Sequence, residues 1–357
     1  MRTIAPSLLI SLILVLAVAE ESAFAQDGDL NRSNPSMLEG IIPLTQVPNY
    51  RDLMREMIEE LSVYARQRNP DFVLLARPGF ELLRWDAREF VLAEAKRPLD
   101  IVVPEDAIID MGQPMRRFIQ AIDGVVIDNQ FCRKGLPLSN LQRFQSMGVK
   151  IMSIEHCGSD AAAVRALEQS LNSFIVSHAD SDRTDVFERI PVRRPSGENS
   201  DNIDTAKGAR NMVVATATRP YGSKGEWLLA MRNNNYDVIV VDAFFDGADA
   251  LTSEEVNSLK FKELGARRLA LAWLDISFAS DDRFYWDRAW GVGNPSWIVG
   301  RHLDRPGTHA VEYWHPRWKS IVGSYFAGLM DLGFDGILLN GTDAYLRFEA
   351  MTPLEPL

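Results

Sequence analysis

The sequence predicts an α/β protein with the (β/α)8 TIM-barrel architecture. Three observations lead there. Eight short apolar runs alternate with amphipathic stretches. The connections between them are regular, and polar residues cluster after the runs rather than before them, as they do at the carboxyl-terminal mouth of a barrel. A doubly wound sheet is the alternative, but no glycine-rich phosphate fingerprint follows any run.

Residues 1–25 read as a signal peptide. Arg2 is its basic start, Leu8–Val18 its apolar core and Ala23-Phe24-Ala25 a small-x-small cleavage site. The apolar core is short for a membrane span. A periplasmic or secreted location, with no stable membrane insertion after cleavage, is the expectation. Residues 26–48 are polar and proline-containing and read as a linker or arm.

The first barrel half is placed at 49–180. Tyr50–Asn69 carries Leu53, Met57, Leu61 and Tyr64 at helical spacing. Strands follow at Asp71–Ala76, Gly124–Asp128, Val149–Ile154 and Ser173–Ser177. Helical stretches lie between them at Glu81–Trp85, Leu138–Met147 and Asp160–Asn172, the last with Asp160 as its cap. Residues 181–208 are rich in Asp, Arg, Ser and Asn and read as an irregular connection.

The second half, 209–357, resumes the rhythm. Strands are expected at Met212–Ala215, Val238–Asp242, Leu269–Leu274 and Gly336–Asn340. Helices are expected at Glu226–Asn233, at a capped stretch from Leu251-Thr252-Ser253 to Leu264, and at Trp318–Leu332, which Gly333 stops. A long aromatic loop, 277–315, precedes the last helix.

The net charge of −11 disfavours nucleic acid and anionic membrane as partners. The five histidines show no metal-ligand spacing, and no nucleophile elbow is present, so no metal or cofactor is expected. Cys132 and Cys157 each follow a predicted strand. An oxidising compartment permits a disulfide, and two separate buried thiols are the alternative.

The strand ends supply Arg77, Asp128, Glu155, Asp180, Asp242, Asp275, Asn340 and Asp343. Carboxylates crowded into one mouth can be pushed to different pKa values, which acid/base chemistry requires. Capping of the following helix is the structural reading of any one of them. The loop adds Trp286 and Trp297, whose ring faces suit sugars or a self-packed satellite core.

Several motifs now become recognisable. Asn235–Asp242, Leu251–Val256, Asp282–Trp286, Gly293–Trp297, Tyr313–Trp318, Gly333–Gly336 and Asp343–Tyr345 resemble glycoside hydrolase family 114. These are endo-α-1,4-polygalactosaminidase-like barrels, also described as cysteinyl-tRNA synthetase-related. Tyr64–Phe72, Gly79–Leu83, Ile122–Gly124, Ile154-Glu155 and Ser177–Asp180 resemble the second half of that family, which normally follows. The resemblance therefore implies a circular permutation, with family strands five to eight placed before strands one to four.

It also implies an exported protein acting on an amino-sugar polysaccharide or oligosaccharide. Asp128 would be the general acid, with Asp343 or Asp242 as the second carboxylate. Asn340, Asp275, Glu155, Arg77, Trp273, Trp286, Trp297, Tyr345 and Asp180 would contact sugar. The chain departs from the family at points that matter for activity. Asn340 stands where the family has Asp, Phe278 where it has Glu, and Asp128 where it has Glu. Binding of glycan without cleavage is the alternative.

Overall fold

The computed structural model describes residues 42–97, 112–180, 189–191 and 193–354. The signal-peptide reading and most of the 26–48 arm lie outside them. Eight parallel strands form one sheet: β1 (Val73–Arg77), β2 (Gly124–Asp128), β3 (Lys150–His156), β4 (Val176–Asp180), β5 (Met212–Ala215), β6 (Val238–Val241), β7 (Leu269–Asp275) and β8 (Gly336–Asn340). Their spatial order is β4-β3-β2-β1-β8-β7-β6-β5. The first and last strands are neighbours, with Val73 opposite Gly336 and Arg77 opposite Asn340. Edges β4 and β5 lie side by side. The Val214 N–H points across that seam to His178 Nδ1 at a long 3.5 Å. The result is a nearly closed α/β barrel.

Strand alternation divides the apolar residues into two sets. Val73, Leu75, Val126, Met152, Ile154, Val176, Met212, Val214, Val238, Val240, Leu269, Leu271 and Leu338 fill the interior. Their alternate neighbours pack outward against helices. Ile203, Ala206 and Ala209 join the inner set from the long connection. That segment is irregular as expected, yet its apolar residues plug the amino-terminal end of the barrel.

The helices are α1 (Tyr50–Arg68), α2 (Ala87–Ala95), α3 (Arg116–Ala121), α4 (Leu138–Ser146), α5 (Asp160–Asn172), α6 (Lys224–Arg232), α7 (Ser253–Leu259), α8 (Pro316–Asp331) and α9 (Tyr345–Met351). Local chemistry fixes several ends. Asp86 with Glu89 and Thr252 with Glu255 form capping boxes on α2 and α7. Helix α1 buries Met54, Met57, Ile58 and Leu61 and packs against α3, α8 and α9. Arg51 of α1 pairs with Glu349 of α9, and the Tyr313 hydroxyl donates to the Tyr50 carbonyl at 2.6 Å.

The structure corrects four local expectations. The fourth strand begins at Val176, three residues late, because Phe174 turns the chain at φ +57°. His178 and Asp180 thus lie within the strand. Ser159, not Asp160, caps α5 through the Ala162 N–H. Helix α7 ends at Leu259, because the chain turns back at Gly265 (φ +87°) and bridges Phe261 to Arg267. The aromatic loop is partly a sheet: Phe278–Ser280, Thr308–Val311 and Ile298–Arg301 pair antiparallel. Helices α2 and α9 were not expected at all.

Candidate active site

Counting outward from the interior residues by twos identifies the side chains that line the carboxyl-terminal mouth. They are Arg77, Asp128, His156, His178, Asp180, Asp242, Trp273, Asp275 and Asn340. The apolar layers beneath them supply a dry floor.

Arg77 organises one side of this mouth. Its Nε and Nη2 donate to Asp128 Oδ1 at 3.0 and 2.8 Å, and its Nη1 donates to Asn340 Oδ1 at 3.0 Å. The guanidinium carbon sits 5.3 Å from the Trp273 ring centroid. Asn340 Nδ2 in turn donates to Asp275 Oδ1. Arg305 Nη1 reaches Asp275 Oδ2 at 3.4 Å and lies over the Phe278 ring. The register that puts Arg77, Asn340 and Asp275 side by side on β1, β8 and β7 makes this row possible.

The turn after β8 brings Asp343 to the same place. Gly341 has φ +82°, and a Cβ there would lie 2.4 Å from Ser277 Oγ, so only glycine fits. Thr342 Oγ1 then donates to the Pro78 carbonyl at 2.7 Å. Asp128 and Asp343 share a cleft of about 360 Å³, lined also by Glu81, Gln130, Lys134 and Tyr345. Burial pushes the Asp343 carboxyl up, its own backbone N–H pulls it down, and nearby Asp128 pushes it up again. Asp128 is the carboxyl group held by Arg77.

The cleft wall is braced from behind. Gln130 clasps Leu136 with two backbone bonds, at 2.8 and 2.9 Å. A Cys132–Cys157 disulfide ties this loop to the end of β3. Fully buried Glu155 accepts the Phe131 and Cys132 N–H groups at 3.0 and 2.9 Å. Glu155 thus holds the wall from the outer side of its strand and does not reach the cleft.

Most of the other expected residues lie away from this cleft. Asp242 directly follows β6, across the barrel from β2, and forms a two-pronged pair with Arg283. Burial pushes its carboxyl up while Arg283 opposes the shift. Trp297 is 1% exposed and packs between Trp290 and Trp318, so it is core rather than a sugar platform. Trp286 is half-buried and stacks on His309 at 4.6 Å. Tyr345 has its ring covered by the Arg51 guanidinium at 4.5 Å. Asp180 sits at the end of β4 next to His178, which burial pulls down to about 4 against the opposing effect of Asp180.

Sequence reasoning missed His156, Arg283 and Arg305. His156 was within reach, since Met152 and Ile154 set the inward parity of its strand. Nothing local marks the two loop arginines. Among the described residues no group of His, Cys, Asp and Glu is arranged to hold a metal ion, and no helix is long and apolar enough to cross a membrane.

No family model matches this chain. It is 32% identical over 152 residues to an uncharacterized protein of Methanocaldococcus jannaschii, covering 42% of this chain and 41% of that protein. It is 31% identical over 122 residues to an uncharacterized protein of Deinococcus radiodurans, covering 34% and 38%. A third such protein, from Thermotoga maritima, is 30% identical over 129 residues, covering 33% and 39%. The matched part of this chain thus spans about two fifths of each relative's length.

Proposed function

We propose that this protein is an exported glycoside hydrolase-like barrel acting on an amino-sugar, galactosaminoglycan-type polysaccharide. Asp343 is the general acid and Asp128 the second carboxylate. One observation carries the reading: a single cleft holds both, with Asp128 bound to Arg77 and Asp343 pushed toward its protonated form. Two carboxyl groups separated in this way divide acid and base roles between them. The roles are the reverse of those the resemblance implies for Asp128. Asp242, engaged by Arg283 on the far side, takes no part in the chemistry.

The family permutation belongs to the same proposal. It requires the chain ends to meet in the sheet, as β1 and β8 do, and it rests on the order of the motifs in the sequence. Export is supported by the leader-like start of the sequence and by the disulfide, a bond typical of oxidising compartments.

A second reading, glycan binding without cleavage, draws on Asn340, an amide that cannot act as nucleophile or base. Release of new reducing ends from α-1,4-galactosaminan distinguishes the two. Turnover that falls about 10²–10⁴-fold in both Asp128→Asn and Asp343→Asn supports the enzyme. Tight binding without products by the native protein supports the binder.

A further inference from the structure

We infer that Asn340 is a positioning residue, whose amide fixes the Arg77 guanidinium on Asp128. The inference rests on the cleft reading above, and it gives Asn340 a role in that cleft rather than a contact with sugar. Asn340 is 6% exposed, and both ends of its amide are engaged. The oxygen accepts from a cation and the nitrogen donates to a carboxylate. Those two partners fix the amide orientation by chemistry alone, because a guanidinium only donates and a carboxylate only accepts.

Few other side chains fit this place. Serine is too short to span both neighbours. Aspartate would still accept from Arg77 but would face Asp275 with like charge. The groups around position 340 are Arg77 from β1, Asp275 from β7, Arg305 from the loop, Asp343 on the following turn, and Asp128 beyond Arg77. An aspartate here would set four carboxyl groups against two guanidinium groups. Arg77, which already bonds both residues, would then be drawn from Asp128 toward the charge at 340, and Asp128 would lose its fixed orientation. The amide supplies the geometry of an acid without its charge.

The test compares Asn340→Asp, Asn340→Ser and the double variant Asn340→Asp with Asp275→Asn. The double variant restores the bond with donor and acceptor exchanged. Asn340→Asp should lower Tm at pH 7 by about 3 °C or more. The loss should close toward pH 4, as a proton joins the crowded pair. Asn340→Ser should show a loss that does not depend on pH, and the double variant should recover more than half of the Asn340→Asp loss. On galactosaminan, kcat should fall roughly tenfold or more in Asn340→Asp with KM little changed, because the carboxylate is misplaced rather than the sugar unbound. Two results would overturn the inference: Asn340→Asp matching or exceeding native turnover, or losses in the Asp and Ser variants that are equal at every pH. Should native protein give no products, the hydrolase reading fails, and the thermal series alone decides the role of Asn340.

Discussion

The two ends of the barrel use the same kinds of residue to opposite effect. At the amino-terminal end Lys262 Nζ lies 2.6 Å from Asp237 Oδ1, with both side chains fully buried. Asp237 also accepts from the Arg210 N–H at 2.8 Å and from Asn199 Nδ2 at 3.1 Å. Lys262 also donates to the carbonyls of Asn199 and Asp201. Donors and acceptors are matched, and the cluster pins the segment that carries the Ile203 plug. At the carboxyl-terminal end the Arg77–Asp128 pair keeps its side chains 10% and 31% exposed. Both Arg77 bonds go to the same oxygen of Asp128. Charge that is fully paired and buried holds structure, whereas charge left partly open at a cleft can do chemistry.

The largest test of this contrast is Lys262→Met. It leaves Asp237 buried without its cation and should cost about 3–5 kcal/mol in urea unfolding. A loss below about 1 kcal/mol would place the lower cluster with ordinary surface pairs. Next comes the brace behind the cleft. Replacing Cys132 and Cys157 with serine opens a loop of sequence separation 25. It should cost about 3 kcal/mol on loop-closure grounds and should reduce galactosaminan turnover more than a remote loss of equal stability.

The smallest effect has the opposite sign. Asp343 has its folded pKa raised by burial. The native state therefore holds that proton to higher pH than the unfolded chain does, and stability declines as pH rises from the ordinary aspartate range, about 3.9, through the raised value. Asp343→Asn removes this burden. It should be slightly more stable than the native protein at pH 7, equal to it below pH of about 3.5, and inactive. A Tm at pH 7 below the native value would count against a functional role for Asp343 and in favour of a structural one.

Much of the fold was legible because it is written locally. Gly336–Asn340 is apolar on both faces and bounded by turn residues, and β8 has those limits. Ser173–Ser177 carries the same signal, but a left-handed turn at Phe174 displaced the strand, and no local pattern announces such a turn. The site was legible only as a set of strand ends. Arg77 meets Asn340 across 263 positions, and neither strand's own sequence records the register that joins them. Trp297 looked like a platform because aromatic content cannot distinguish a ring facing sugar from a ring facing other rings. Arg305 and Arg283 enter from loops, where neither spacing nor periodicity constrains position.

Helix α1 carries a consequence for how the chain is made. Among the described residues it is the first α-helix to be synthesised, and two of its partners, α8 and α9, are the last. Until they emerge, α1 can pack against α3 but not against α8 and α9. Each βα unit can form as it appears, but the ring cannot lock until Glu349 reaches Arg51. Closure of this barrel therefore waits for α8 and α9, and the nascent chain is most exposed to misassociation until they emerge.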